Sequence, residues 1–154
     1  MLIEQTPLHD KEQTARKIKD IVNRFYFDLD AIFVARGKSN MKLSDFSLPA
    51  FFDFVRKIPY RRDPRPVEVV ARPYYLFKHR NLGIDCKKKS ILIAAFLKSK
   101  GIPYRFIGSS NRADKKIHHI FPQAKIDNEY VNVDATYKEY KLFGPKTVTA
   151  WEVL

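Results

Sequence analysis

The chain reads Gly83-Ile84-Asp85-Cys86-Lys87-Lys88-Lys89-Ser90 and then Ile91 to Leu97, seven apolar residues in a row. This pattern predicts a buried helix carrying the protein's only cysteine in its first turn. Asp85 suits the N-cap, where a carboxylate accepts a bond from an N–H that no helical carbonyl reaches. Lys98 and Lys100 suit the negative end of the helix dipole, Gly101 supplies a left-handed stop, and Pro103 bars continuation. A helix apolar on every side belongs in the interior, so this one is expected to be central. A thiol at the positive end of such a helix sits where a thiolate is easiest to form.

Outward from that helix, composition sets bounds. The 154 residues are expected to form one domain, 1–154, burying roughly two-thirds of the unfolded surface. Twelve Phe and eight Tyr suit a packed protein, not a disordered one. A lone cysteine allows no internal disulfide and points to a reducing compartment. Met1 to Asp10 shows no basic start before an apolar run, so no signal peptide is expected. No apolar run is long enough for a transmembrane segment, and the expected location is cytoplasmic. The net charge is +12, with the excess gathered at Arg56, Lys57, Arg61, Arg62 and Arg65, at Lys78 and Arg80, and at Lys87 to Lys89. Such a field favours nucleic acid, an acidic partner or an acidic substrate; solvated helix faces would account for it equally well.

Before the central helix, Asp10 to Arg36 reads as one long amphipathic helix, with Ile18, Ile21, Val22, Phe25, Leu29, Ile32 and Phe33 on one stripe. Gly37-Lys38-Ser39-Asn40 ends it. Ser44 or Ser47 caps a shorter helix through Lys57, so that residues 1–58 form a helical N-terminal region. Pro59, Pro64, Pro66 and Pro73 make the next stretch an extended connection laid across the body, with a short helix over Pro73 to Phe77. After Gly101 the period changes. Strands are predicted at Ile102 to Ile107, Ile117 to Ile126 and Glu129 to Thr136, with a polar loop over Gly108 to Lys115, a turn at Asp127-Asn128, and a C-terminal strand or arm. Helices first and antiparallel strands afterwards give an α+β fold: N-terminal helices and a buried central helix packed on an antiparallel β-sheet.

A turn at Asp127-Asn128 pairs Ile126 with Glu129, which fixes what shares a face. His119 then falls opposite Thr136, and Asp134 opposite Phe121, diagonal to His119 and within about 7–8 Å at the backbone. That face also carries Gln123, Tyr130 and Asn132; the other carries Ile120, Ala124, Ile126, Val131, Val133 and Ala135. The apolar face needs a cover, most simply the N-terminal helices. His118 points with the apolar set and His119 with the polar one, a choice that a three-residue loop would reverse. Cys86, His119 and Asp134 thus make a nucleophile, a base and an orienting carboxylate. The Cys86 backbone N–H could donate to an oxyanion. Asp85 reads as cap, not catalyst, and Asn132 as the weaker choice for a third member. A metal site from Cys86, His118 and His119 lacks paired-ligand spacing, so neither metal nor cofactor is expected. His9 and His79 read as surface residues.

Gly83-Ile84-Asp85-Cys86 before an apolar helix, then Gly101-Ile102-Pro103-Tyr104-Arg105, resembles the nucleophile segment of the transglutaminase-like superfamily. His119 and Val131-Asn132-Val133-Asp134-Ala135-Thr136 are similar to that family's histidine strand and its Asp-x-Thr strand. The resemblance covers residues 83–137 as the catalytic-type core and implies a papain-like arrangement with Cys86 as nucleophile, His119 as base and Asp134 as orienter. Members often carry a tryptophan where this chain has Tyr130, and an upstream Trp or Gln for the oxyanion; here Tyr60, Tyr74 and Tyr75 are the candidates. Pro122 interrupts a strand that is regular in the family. The compact basic form is similar to members encoded in bacterial, phage or prophage genomes, virion-associated if phage-encoded.

Two functions from different classes follow. One is a cysteine acyl-transfer enzyme acting on an amide of a peptide or protein substrate, with water or an amine as acceptor. The other is an inactive basic module that grips nucleic acid or an acidic partner as a structural or virion-associated protein.

Overall fold

The computed structural model describes residues 3–6, 11–64 and 68–154. Asp10, His9 and the Arg65 of the basic cluster lie outside the described residues. After a short strand β1 (Ile3–Thr6), Ile18, Ile21 and Val22 form the buried stripe of α1 (Lys11–Phe25). The helix stops there, not at Arg36. The buried Asp28 carboxylate accepts from Arg72 Nε (2.9 Å), Arg72 Nη2 (2.6 Å) and the Tyr74 N–H (3.0 Å), contacts from far along the chain that fix a 3₁₀ turn over Tyr26–Ala31. The Arg72 guanidinium also lies over the Phe25 ring, 4.2 Å from its centre. Ile32 to Arg36 then leave the helical period: Phe33 is 55% exposed, and β2 (Phe33–Arg36) pairs with β3 (Ser39–Lys42) around Gly37, whose φ of +61° suits a tight hairpin turn. The N-terminal region is therefore helical with a hairpin inside it, not helical throughout.

Ser47, not Ser44, caps α2 (Leu48–Arg56), its hydroxyl accepting from the Ala50 N–H at 3.2 Å. The extended stretch that follows contains β4 (Glu68–Ala71), antiparallel to β1, and leads into α3 (Pro73–Lys78). Next comes α4 (Cys86–Ser99), capped by Asp85 Oδ1 on the Lys88 N–H at 3.1 Å, with Ile91 to Leu97 all buried. Phe96 of α4 stacks on Phe51 of α2 with ring centres 4.3 Å apart.

The main sheet comprises β5 (Tyr104–Ser110), β6 (His119–Ile126), β7 (Glu129–Asn132) and β8 (Ala150–Val153), all antiparallel in the order β7-β6-β5-β8. Its apolar face is covered by α4, not directly by the N-terminal helices, which pack on the far side of α4. This is an α+β fold with N-terminal helices against a central helix and an antiparallel sheet. Among the described residues no helix is long and apolar enough to cross a membrane.

Three strands have bounds that differ from the sequence reading, β5 also starting at Tyr104 and not at Ile102. β5 runs on through Gly108, Ser109 and Ser110, because Gly108 faces Ile117 and Leu154 so closely that a Cβ would lie 2.9 Å from one and 3.1 Å from the other. β6 begins at His119, so His118 stands before the strand, exposed, with its ring nitrogen on Asn111 (2.9 Å), and not in the core. β7 ends at Asn132 although Ile126 pairs with Glu129 as expected. Pro122 explains this: it accepts from the Val133 N–H at 2.9 Å but has no N–H to return. The ladder therefore closes, and Val133 to Thr136 leave β7 as extended chain. His119 is paired with Ser109 in β5, not with Thr136.

The Lys87–Lys89 run is not a free basic patch. Lys87 Nζ is 2.7 Å from Asp85 Oδ2, and Lys88 pairs with Asp63. Lys89 is 1% exposed, and its ammonium donates to the carbonyls of Ile58 (2.6 Å) and Thr136 (2.8 Å). Burial pushes the Lys89 pKa down to about 8, against the pull of Asp134 and Glu139. This side chain ties α4 to the segment after α2 and to the chain leaving β7. Lys89→Met keeps the stem and strands both carbonyls. It is expected to destabilise the fold by roughly 2–4 kcal/mol, read from urea unfolding midpoints.

Candidate active site

Three local features converge on the first turn of α4. Gly83 adopts φ +86°, and a Cβ there would lie 2.8 Å from Arg61 Cβ and 3.1 Å from the Pro59 carbonyl. Only glycine permits so close a passage. The approach is sealed by Ile84 N–H to Pro59 O (2.9 Å) and Arg61 N–H to Ile84 O (3.2 Å), which lay Tyr60 and Arg62 beside Cys86. Ser90 Oγ donates to the Ile120 carbonyl at 3.2 Å, fastening α4 to β6 one residue from His119. The third feature is the segment after β7, released by Pro122, which brings Asp134 to the histidine.

His119 Nε2 is 2.7 Å from Asp134 Oδ2. Asp134 is 3% exposed, and its other oxygen accepts from the Thr136 N–H (3.1 Å) and hydroxyl (2.5 Å). Lys146 meets the same oxygen as His119. Cys86 lines the same cavity as His119. With Nε2 on the carboxylate, Nδ1 is the nitrogen left for the thiol. Burial by itself would lower the His119 pKa, but the bonds to Asp134 and Cys86, and their charges, raise it to about 9. Burial would raise Asp134, yet the His119 bond and charge, with Lys146, hold it at about 2. Imidazolium and carboxylate are thus the stable forms at neutral pH. The Cys86 N–H is at the first helical position, where no carbonyl of the helix lies behind it.

The cavity over Cys86 has a volume of about 120 Å³. Tyr60, Tyr137 and Tyr140 form its walls, and Arg62, His118 and Lys146 its rim. The Tyr60 and Tyr137 ring centres are 5.0 Å apart. Burial, followed by the neighbouring Tyr60, lifts the Tyr137 pKa to about 12, so it remains a hydroxyl donor. A larger cleft, about 320 Å³, lies behind Asp134 and includes neither Cys86 nor His119. Of the other residues singled out from the sequence, Tyr74 is exposed, and Tyr75 lies against the half-buried His79 with ring centres 4.3 Å apart and planes tilted by 42°. Asn132 bonds Gln123 (2.9 Å) and the Gly144 carbonyl (3.0 Å), away from the histidine. Among the described residues no cluster of His, Cys, Asp and Glu is arranged to hold a metal ion.

The sequence model of the transglutaminase-like superfamily matches residues 33–135, two-thirds of the chain and all three of these side chains. The chain belongs to that superfamily. Among solved structures, a candidate cysteine protease from Cytophaga hutchinsonii is similar to it at 15% identity and a TM-score of 0.45, over 92% of this chain. The chain spans half the length of that protein. No curated protein matches it. In this transglutaminase-like chain the family match begins at β2 and leaves α1 outside. Sequence reasoning missed Tyr137, Tyr140 and Lys146. They belong to an aperiodic segment that is folded back by Phe143 N–H to Asn132 O (3.0 Å) and Thr149 N–H to Ser110 O (2.8 Å).

Proposed function

We propose that this chain is a cysteine-dependent acyl-transfer enzyme, one domain over 1–154, that opens an amide of a peptide or protein substrate. The observation that carries this reading is the 2.7 Å His119–Asp134 contact beside a cavity that Cys86 and His119 line together. The Cys86 thiolate attacks the carbonyl carbon, and the carbonyl π pair moves to oxygen, met by the Cys86 N–H and the Tyr137 hydroxyl. Collapse expels the amine, which takes its proton from the His119 imidazolium. The thioester is then attacked by water or a second amine, whose proton returns to His119. Asp134 holds the ring in the tautomer that presents Nδ1 to sulfur.

The binding-module reading rested on basic clusters, and the lysine run within them is occupied by Asp85, Asp63 and two carbonyls. Iodoacetamide at neutral pH tests the enzyme reading. Stoichiometric labelling of Cys86 within minutes in the folded protein is the expected result; a thiol that reacts only after denaturation would defeat it.

A further inference from the structure

The rim over Cys86 has an unusual balance of charge. Arg62, His118 and Lys146 line the cavity, and no carboxylate does. Three nearby acids are engaged elsewhere: Asp63 with Lys88 and the Val69 N–H, Asp85 with Lys87 and the helix cap, and Asp134 with His119 and Lys146. Glu139, next to Tyr140, is exposed and lines the separate 320 Å³ cleft. Asp114 is turned to the Lys116 N–H at 2.9 Å. Arg62 and Arg112 are exposed and have no carboxylate partner among the described residues. Arg112 follows Asn111, a lining residue whose side chain meets the His118 ring at 2.9 Å. Burial and then the Arg112 charge, with His119 and Arg62 adding and Asp114 opposing, hold His118 below its ordinary pKa. A second cavity of about 200 Å³ shares Arg62 with the first and adds Arg61 and His79; its one acid, Asp63, is already paired. The two cavities thus meet at Arg62, an exposed guanidinium with no carboxylate partner among the described residues.

We infer that the acyl donor is an acidic peptide segment, with Glu or Asp side chains within a few residues of the reacting carbonyl seated against Arg62 and Arg112. This rests on the acyl-transfer reading above and narrows its substrate class. A solubilising surface gives no reason for the lining of this one cavity to carry Arg62, His118 and Lys146 and no carboxylate. Nucleic acid would use the same charges, but a 120 Å³ recess walled by tyrosines around a thiol suits a side-chain-sized group next to a carbonyl.

Two isosteric alkylating agents, iodoacetate and iodoacetamide, read the field at sulfur directly. In Arg62→Gln/Arg112→Gln the iodoacetate-to-iodoacetamide rate ratio at Cys86 is expected to fall about tenfold at low salt, and the wild-type ratio to fall in high salt. An unchanged ratio in the double variant overturns the inference. In a second arm, the peptide Ac-Glu-Glu-Ala-Glu-NH2 is expected to protect Cys86 from iodoacetamide, whereas Ac-Gln-Gln-Ala-Gln-NH2 is not. Equal protection by both peptides, or protection by a single-stranded oligonucleotide alone, overturns it. Failure of both reagents to label the folded protein is a different result: it removes the acyl-transfer reading itself, and the substrate class with it.

Discussion

Replacing His119 by Ala lowers acylation of Cys86 by p-nitrophenyl acetate at pH 7 by roughly 10- to 100-fold, and cleavage of an amide substrate by roughly 10²–10⁴-fold. The two figures differ for a chemical reason. Nitrophenolate leaves without a proton, so the ester senses only the loss of the charged partner beside sulfur. A free thiol is ionised to a few per cent at pH 7, which bounds that loss. An amine must be protonated as it leaves, so an amide senses the missing acid too. Because His119 gives up its proton near pH 9, the wild-type advantage on the ester shrinks as pH rises through that value. Lys146 and Thr136 still hold the Asp134 carboxylate in this variant, so it is expected to lose the stability of the His119–Asp134 pair but to melt above Asp134→Ala.

Asp134→Ala has the larger effect on the fold. The carboxylate is buried and holds His119, Lys146 and Thr136 at once. Removing it leaves a buried imidazolium and an ammonium without their counter-ion, which costs about 3–5 kcal/mol, or roughly 10 °C in melting temperature for a chain of this size. Its pH signature is specific. The His119 pKa is raised from 6.5 to about 9, so the stability it contributes is complete below pH 6.5 and lost as pH rises through about 9. The Asp134 pKa is lowered from 3.8 to about 2, so its contribution is complete above pH 3.8 and lost as pH falls through about 2. Wild type therefore holds these contributions in full between about pH 4 and 6.5. Thermal melts from pH 6 to 10 should show the alkaline decline in wild type and its disappearance in Asp134→Ala; an equal decline in both proteins would contradict the linkage.

Much of the fold was legible because local chemistry and tertiary structure agree. Asp85 caps α4, Ser47 caps α2, and Asp127-Asn128, both with positive φ, set the Ile126–Glu129 register. What was not legible depends on contacts remote in sequence. The period from Phe25 to Phe33 looked helical, and only Arg72, 44 residues beyond Asp28, turns that chain aside. Pro122 was visible as an irregularity, but its consequence, an early end to β7 that frees the Asp134 segment, requires knowing which neighbour its missing N–H would have served. The lysines 87–89 read as a surface charge run because sequence does not show where Asp63, Ile58 and Thr136 return. Lys146 and Tyr137 had no pattern to announce them.

The central claim is that Cys86 forms a covalent acyl intermediate served by His119. Its most direct test is intact-protein and peptide mass spectrometry after brief exposure of the folded protein to p-nitrophenyl acetate at pH 7. One acetyl group is expected, mapped to Cys86, that disappears as water or an added amine takes it, is absent in Cys86→Ser, and forms slowly in His119→Ala. Unmodified Cys86 in the folded wild type, with acetylation spread over surface lysines alone, would contradict it.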